Sequence, residues 1–212
     1  MVPSATDLEQ AAAVLNKARK PTMLIGSGCR GAREEVIAVA EKLKAPIVHA
    51  LKGADVMEHE HPLWVGLTGL LGTPAGYHAV EDCDALLMVG TDFPYSVFYP
   101  SGRPIVQIDI EPKHLGKRCA VTEGLLGHAQ PSLEALLPLL ESNPNGDHLR
   151  SIQNRFTKWR NRNRKKYSLK SKHRPLHPQI VAQALSDRAA DDAIFAVDVG
   201  ECTVWSARHL EL

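Results

Sequence analysis

Three glycine-bearing loops and one aspartate carry the residue types through which this chain could do chemistry. The stretch "GSGCRG" spaces Gly26, Gly28 and Gly31 as G-x-G-x-x-G directly after an apolar run. Glycines there let the backbone touch a ligand and leave amides at the start of the next helix for a pyrophosphate. A tight strand-to-helix turn needs the same glycines, so the pattern alone leaves both readings open. In "VGLTGLLGTPAG", four glycines and two threonines fall at positions 66–76. The hydroxyls suit phosphate or ring polar atoms, and the stretch is too glycine-rich for a helix interior. A third loop, "VGTDFPYSVFYP" at 89–100, holds Phe93, Tyr95, Phe98 and Tyr99. Such aromatics either wall a flat ring or pack over a sheet edge. Asp109 closes "IVQIDI", where a carboxylate accepts both hydroxyls of a ribose or fixes the turn before Pro112. Together the loops point to a nucleotide cofactor.

For these loops to share one edge, the runs before them must be parallel strands. The runs "KPTMLIGSG", "APIVHA", "DALLMVG", "RPIVQIDI" and "GLLGHA" are short and apolar, as strands covered on both faces are. Between and around them, "LEQAAAVLNKA", "REEVIAVAEKL" and "SLEALLPLL" repeat apolar residues at helical spacing. Strands alternating with helices predict an α/β fold with a doubly wound parallel sheet. Ligands of such sheets sit outside the carboxyl ends of the strands, where the three loops lie.

Composition bounds the rest. With 212 residues, 44% hydrophobic, 23% charged and net charge +1, the chain holds one sizeable core plus a smaller piece and has no overall field to attract a polyanion. Its apolar runs are far shorter than the roughly 18 residues of a membrane span. The N-terminus has no basic stretch followed by an apolar one, and Cys29, Cys83, Cys119 and Cys202 form no ligand cluster. The expectation is a cytoplasmic protein with no metal site in this chain. A turn-rich break, "NPNGDH", separates residues 1–142 from a basic stretch, and Arg150 to Arg174 holds eleven Lys/Arg and no Asp or Glu. Residues 143–175 read as a solvated linker with a basic helix and no nucleic-acid role. Phe156, Trp159 and Tyr167, interleaved with the charges, supply the alternative of a nucleic-acid or anionic-membrane patch. Beyond it, "HPQIVAQALSDRA" predicts a new helix and "AIFAVDVG" a new buried strand, the α/β start of a second domain over 176–212.

In order, "MLIGSGCRGA", "APIVHALKG", "VGLTGLLG", "LLMVGTDFPYSVFYP" and "IVQIDIEP" resemble the central domain of the pyruvate oxidase family of thiamine diphosphate enzymes. The quinone-dependent pyruvate dehydrogenases are the nearest branch. After the basic stretch, "AVDVGECTVW" resembles the start of that family's C-terminal, diphosphate-binding domain. The resemblance implies a Rossmann-like domain over 1–142 that holds FAD in extended form. Thr68, Gly69, Leu70 and Leu71 would lie along the flavin. Gly26 and Gly28, with Gly90, Thr91, Asp92, Phe93 and Pro94, would lie near the nucleotide, and Ile108 with Asp109 at the adenosine. No arginine directly follows Asp109, so a dinucleotide without a 2′-phosphate is preferred over NADP. His49 stands in the family's "HAL-basic-G" stretch with Lys52 and Gly53, and is read as structural.

The same resemblance places Asp198 and Gly200 near the thiamine diphosphate, although Glu201 and Cys202 depart from the family pattern there. It implies oxidative decarboxylation of a 2-oxo acid, pyruvate to acetate and CO2, with thiamine diphosphate, Mg²⁺ and FAD, and electrons passed to a quinone. A homotetramer, with peripheral contact at the inner face of a membrane through segments outside this chain, completes the expectation. Neither the activating glutamate domain nor a GDG...N metal motif lies in these 212 residues, so no catalytic residue is assigned and the chain is expected to be inactive alone. An acetolactate synthase relative, with structural FAD, is the alternative on the same fold.

Overall fold

The computed structural model describes residues 1–167, 170, 174–190 and 192–211. Its six strands are β1 (Pro21–Ile25), β2 (Ile47–His49), β3 (Trp64–Leu67), β4 (Ala85–Val89), β5 (Ile105–Asp109) and β6 (Glu123–Leu126). They form one parallel sheet in the order β3-β2-β1-β4-β5-β6, the doubly wound arrangement expected from the sequence.

β1, β4 and β5 are buried at every position, which is why they read as continuous apolar runs. The pleat still divides their side chains between two layers. Met23, Ile25, Leu87, Val89, Val106 and Ile108 pack against α1 (Ala5–Asn16), α2 (Arg33–Leu43) and α4 (Ala129–Leu136). Leu24, Leu86, Met88 and Ile105 pack on the other face with α3 (Pro74–Glu81) and α5 (Asp147–Lys166). Gln107 falls on that second face beyond the helices. There it donates to the His114 carbonyl and accepts from the Gly116 amide, so a loop rather than a helix satisfies it.

Three segments differ from the sequence expectation. The glycine-rich stretch 65–76 is not all loop, because β3 takes its beginning and α3 starts at Pro74. Thr73 caps α3 by accepting from the Gly76 amide at 3.0 Å, with Pro74 in the first turn, a Thr-Pro start that outweighs glycine content. Gly76 is required by packing: a Cβ there would stand 2.2 Å from the Leu67 carbonyl oxygen.

The basic stretch is more than a linker. Its helix α5 buries Ile152 and Phe156 on the sheet, and Trp64 meets Phe156 edge-on at 5.1 Å. Apolar residues four apart on a charged helix make one adhesive stripe. Residues 168–169 and 171–173 of the expected linker lie outside the described residues.

Beyond it come α6 (Pro178–Ser186) and α7 (Glu201–His209), but "AIFAVDVG" forms no strand. Ile194 is 96% and Val199 92% exposed, since a lone strand beside no ladder has nowhere to place its backbone hydrogen bonds.

At the far edge, His49 ends β2 inside a stack of flat rings, 6.0 Å from His59 and 5.8 Å from Trp64, with His59 and Trp64 4.1 Å apart. The His49 Nδ1 position faces the Ala50 carbonyl at 2.9 Å, and Nε2 is buried without a partner among the described residues. That pattern suits the neutral Nδ1–H tautomer, and burial pushes the His49 pKa down to about 4. The unfolded chain binds the proton near pH 6.5 and the folded chain only near 4, so stability must fall as pH drops through that window. Chemical denaturation of His49→Phe at several pH values should show a shallower fall between about pH 6.5 and 4.5 than wild type, by up to about 3 kcal/mol. Identical pH profiles would contradict the burial of a neutral histidine.

Candidate functional site

The strand register aligns Leu67, His49, Ile25, Val89, Ile108 and Leu125 in one row across the sheet. Every strand becomes a loop within a residue or two of that row. At the usual interstrand spacing the six loops extend along an edge of about 24 Å. A cleft of about 600 Å³ follows this edge, within the range of small-molecule sites. Its walls are Thr68, Leu70 and Leu71 after β3, Ala50, Leu51 and Lys52 after β2, and Gly26, Ser27 and Gly28 after β1. From the other half come Gly90, Thr91, Asp92, Phe93, Pro94 and Tyr95 after β4, Ile108 to Glu111 with His114 at β5, and Gly127 to Ala129 after β6.

The middle of the cleft lies between β1 and β4, where the strand order reverses. Here the glycines are needed by the protein itself. A Cβ on Gly28 would lie 2.7 Å from the Gly90 Cα, and one on Gly26 2.5 Å from the Gly90 carbonyl oxygen. Gly53 presses against Gly26 in the same way, its missing Cβ 2.9 Å from the Gly26 Cα. The amides are committed too: Gly26 donates to Val89 and Gly28 to Gly90, both at 3.0 Å. After β1 the chain makes a one-turn helix, Ser27–Cys29, and α2 begins only at Arg33, clear of the cleft. Of the two readings the sequence left open, these glycines serve the tight turn, in two loops locked backbone to backbone. Positive charge at this point comes from Lys52, the one Lys or Arg side chain lining the cleft among the described residues. Cys29 is inert: buried with Sγ toward the Val89 carbonyl, its thiol is pushed up to about 12.

At the β3 end, Thr68 is 3% exposed and its Oγ1 has no hydrogen-bond partner among the described residues. A buried hydroxyl left unpaired is costly and asks for a ligand or water. Leu70 and Leu71 add apolar wall. Gly69 does not line the cleft; with φ at +92° it passes under Phe93, whose ring carbons would be 3.0 Å from a Cβ.

The aromatic loop divides its residues between the two uses left open by the sequence. Phe93 and Tyr95 line the cleft, their rings 5.4 Å apart. Phe98 and Tyr99 pack against the core on the α3 side, and the Tyr99 hydroxyl donates to the Phe93 carbonyl at 2.7 Å. Asp92 holds the loop down. It accepts from Arg118 at 2.9 and 3.1 Å and from Lys117 at 3.1 Å, and the Arg118 hydrogen bond holds its carboxyl below the usual range.

Asp109, 5% exposed, performs one of its two expected jobs through Oδ1, which accepts from the Glu111 amide at 2.9 Å and faces His114 Nδ1 at 3.3 Å. Oδ2 has no protein partner among the described residues. Glu111, His114 and His128 join it along the cleft; sequence inspection missed them because turn residues after β5 and β6 carry no period. Asp198 and Gly200 stand apart, exposed in the loop before α7, where Oδ1 of Asp198 accepts from Val199 at 2.7 Å. His49 also lies outside the lining. Among the described residues no three His, Cys, Asp or Glu gather as a metal site.

Residues 8–136 match the central domain of the thiamine pyrophosphate enzymes. Over 99% of this chain and 36% of its own length, YdaP of Bacillus subtilis (strain 168), named as a putative thiamine pyrophosphate-containing protein, is 37% identical. The large subunit of acetolactate synthase isozyme 2 from Escherichia coli (strain K12) is 31% identical over 96% of this chain and 37% of that protein. Pyruvate oxidase of Lactiplantibacillus plantarum is 28% identical over 92% of this chain and 32% of that protein. The chain thus spans about a third of the length of the curated relatives it matches.

The locked glycines make a direct prediction. Gly90 has φ at +60° and its Cβ would meet the Gly28 Cα at 2.7 Å, so Gly90→Ala combines backbone strain with overpacking, each about 1–3 kcal/mol. Gly102→Ala, with φ at +65° in open space, should show the strain alone. Urea unfolding that ranks the two equal would contradict the close approach at the switch point.

Proposed function

The chain belongs to the thiamine pyrophosphate enzymes, and we propose that its cleft holds FAD in extended form within an enzyme that oxidatively decarboxylates pyruvate and passes the electrons to a quinone. The observation that carries the cofactor assignment is one continuous cleft across all six strand ends with an unpaired buried hydroxyl, Thr68 Oγ1, at one end and a free carboxylate oxygen of Asp109 at the other. An edge of about 24 Å accommodates a stretched dinucleotide and is far longer than a mononucleotide needs.

The residues present fit that group. Thr68 would donate to or accept from ring polar atoms of the flavin, with Leu70, Leu71 and Phe93 as apolar walls. Lys52 would face the diphosphate in place of helix amides, and Asp109 Oδ2 would accept from the ribose. Asp109 and Glu111 at the adenosine end make a poor neighbourhood for a 2′-phosphate, which favours FAD over NADP. When bound, thiamine diphosphate supplies the electron sink for loss of CO2 from the 2-oxo acid, and FAD takes up two electrons. This chain's part is to bind, orient and shield the flavin. Asp198 and Gly200, on the segment that resembles the diphosphate-binding domain, would approach the thiamine diphosphate, with Mg²⁺ held by residues outside these 212.

A second reading rests on identity: the acetolactate synthase relative is 31% identical and the pyruvate oxidase 28%. In that reading FAD is structural and the product an acetohydroxy acid. The two separate in the full-length protein. Pyruvate-dependent reduction of ferricyanide supports the oxidase reading, and acetohydroxy acid formation without acceptor reduction supports the other.

Titration followed by flavin fluorescence should show that the chain binds FAD at micromolar concentration and binds NADP far more weakly. Asp109→Ala and Thr68→Val should each weaken FAD by about 1–3 kcal/mol, the range for an unpaired buried polar group. Binding of NAD without FAD, or unchanged FAD affinity in both variants, would overturn the assignment.

The isolated chain, supplied with pyruvate, thiamine diphosphate, Mg²⁺ and FAD, should release CO2 at less than about 1% of the full-length rate, because each missing positioned group costs about 10² to 10⁴. A higher rate would place the catalytic groups within this chain.

A further inference from the structure

The glycine-rich loop that carries Thr68, Leu70 and Leu71 is held from outside by a residue 137 positions later in the chain. Arg208, at the end of α7, donates from Nε to the Leu71 carbonyl at 3.0 Å and from Nη2 to the Gly72 carbonyl at 3.2 Å. Within itself the loop is lightly tied. The Gly72 amide donates to Gly69 and the Thr73 amide to Leu67, both at 2.9 Å, and Leu70 is 64% exposed. A guanidinium fork on two successive carbonyls therefore fixes the backbone next to the cleft residues.

The anchor behind Arg208 is firm. His209 and Leu210 are buried. The Glu211 carboxylate takes Arg160 at 2.7 Å and Arg164 at 2.6 Å, and its amide donates to Ser186 Oγ at 2.9 Å. Since α5 packs on the sheet, the path runs from the second layer through Glu211 to Arg208 and into the cleft wall. The same helix begins at Glu201, beside Asp198 and Gly200.

We propose that Arg208 is a positioning residue for the flavin half of the cleft, making the grip of the β3 loop on its ligand depend on the docking of α7. The inference rests on the FAD reading for the identity of the ligand, but the mechanical claim concerns the loop alone. Arg208 does not line the cleft, and the adenosine end at Asp109 is on the opposite side of the switch point. The effect of its removal must therefore be confined to one half of an extended dinucleotide. ADP carries the adenosine and diphosphate without the flavin and serves as the internal control.

The test compares wild type with Arg208→Gln and Arg208→Lys. Arg208→Gln should weaken FAD about tenfold, the loss of charge-assisted hydrogen bonds, while ADP affinity changes by less than about twofold. Arg208→Lys should fall between, keeping the charge without the fork. Without any nucleotide, amide exchange at Gly72 and Thr73 should quicken in Arg208→Gln. Unchanged FAD affinity, an equal loss for FAD and ADP, or unchanged exchange at Gly72 and Thr73 would each overturn the proposal. Wild type that binds neither FAD nor ADP would sink the dinucleotide reading instead, and the exchange measurement would then decide the role of Arg208 by itself.

Discussion

The fold and the cleft both depend on how closely two backbones approach at the point where the sheet reverses its order. Gly26 and Gly28 after β1 and Gly90 after β4 touch without side chains between them, and Gly53 presses on Gly26 from the next loop. Any Cβ here would drive the loops apart, and the amides that hydrogen-bond across the seam would lose their partners. Because this seam is closed by protein rather than by ligand, the cleft above it is preformed. A ligand then need not supply the energy of organising it.

From the seam outward the cleft changes character. Toward β3 it is apolar, with one buried hydroxyl asking for a partner. At β2 a lysine brings positive charge, and toward β5 carboxylates gather around Asp109. In the proposed binding mode a flavin, a diphosphate and a ribose would fall into that order, and the strand register aligns the three zones in one row. Asp92, itself part of the cleft wall, is clamped by Arg118 and Lys117 and fixes the loop that sets Phe93 over Gly69. Arg208 does the same for the β3 loop from the opposite side, so both halves of the roof are tied to elements away from the ligand.

Much of this was legible in the sequence, for definable reasons. β1, β4 and β5 are short apolar runs because both faces are covered, and their ends carry Gly26, Gly90 and Asp109 where loops must begin. The three loops could be placed on one edge because parallel topology allows no other arrangement. The purpose of the glycines was not legible, since a tight turn, a ligand cradle and a backbone seam all demand the same residue. The basic helix was expected, but its packing on the sheet was not legible, since the charges of α5 outnumber its apolar stripe of Ile152, Phe156 and Trp159. "AIFAVDVG" has strand composition, but composition cannot supply a neighbouring strand. Lys52, His114 and Arg208 act through where the chain returns in space, which no local pattern records.

In the proposed binding mode one extended dinucleotide lies across all six strand ends, with its flavin at Thr68 and its adenosine at Asp109. A crystal structure of this chain soaked with FAD tests it most directly. Continuous density is expected along the carboxyl edge, with the flavin beside Thr68 and Leu71, the diphosphate within reach of Lys52, and a ribose hydroxyl on Asp109 Oδ2. Density with the adenosine at the β3 end, or a dinucleotide bound elsewhere on the chain, would contradict it.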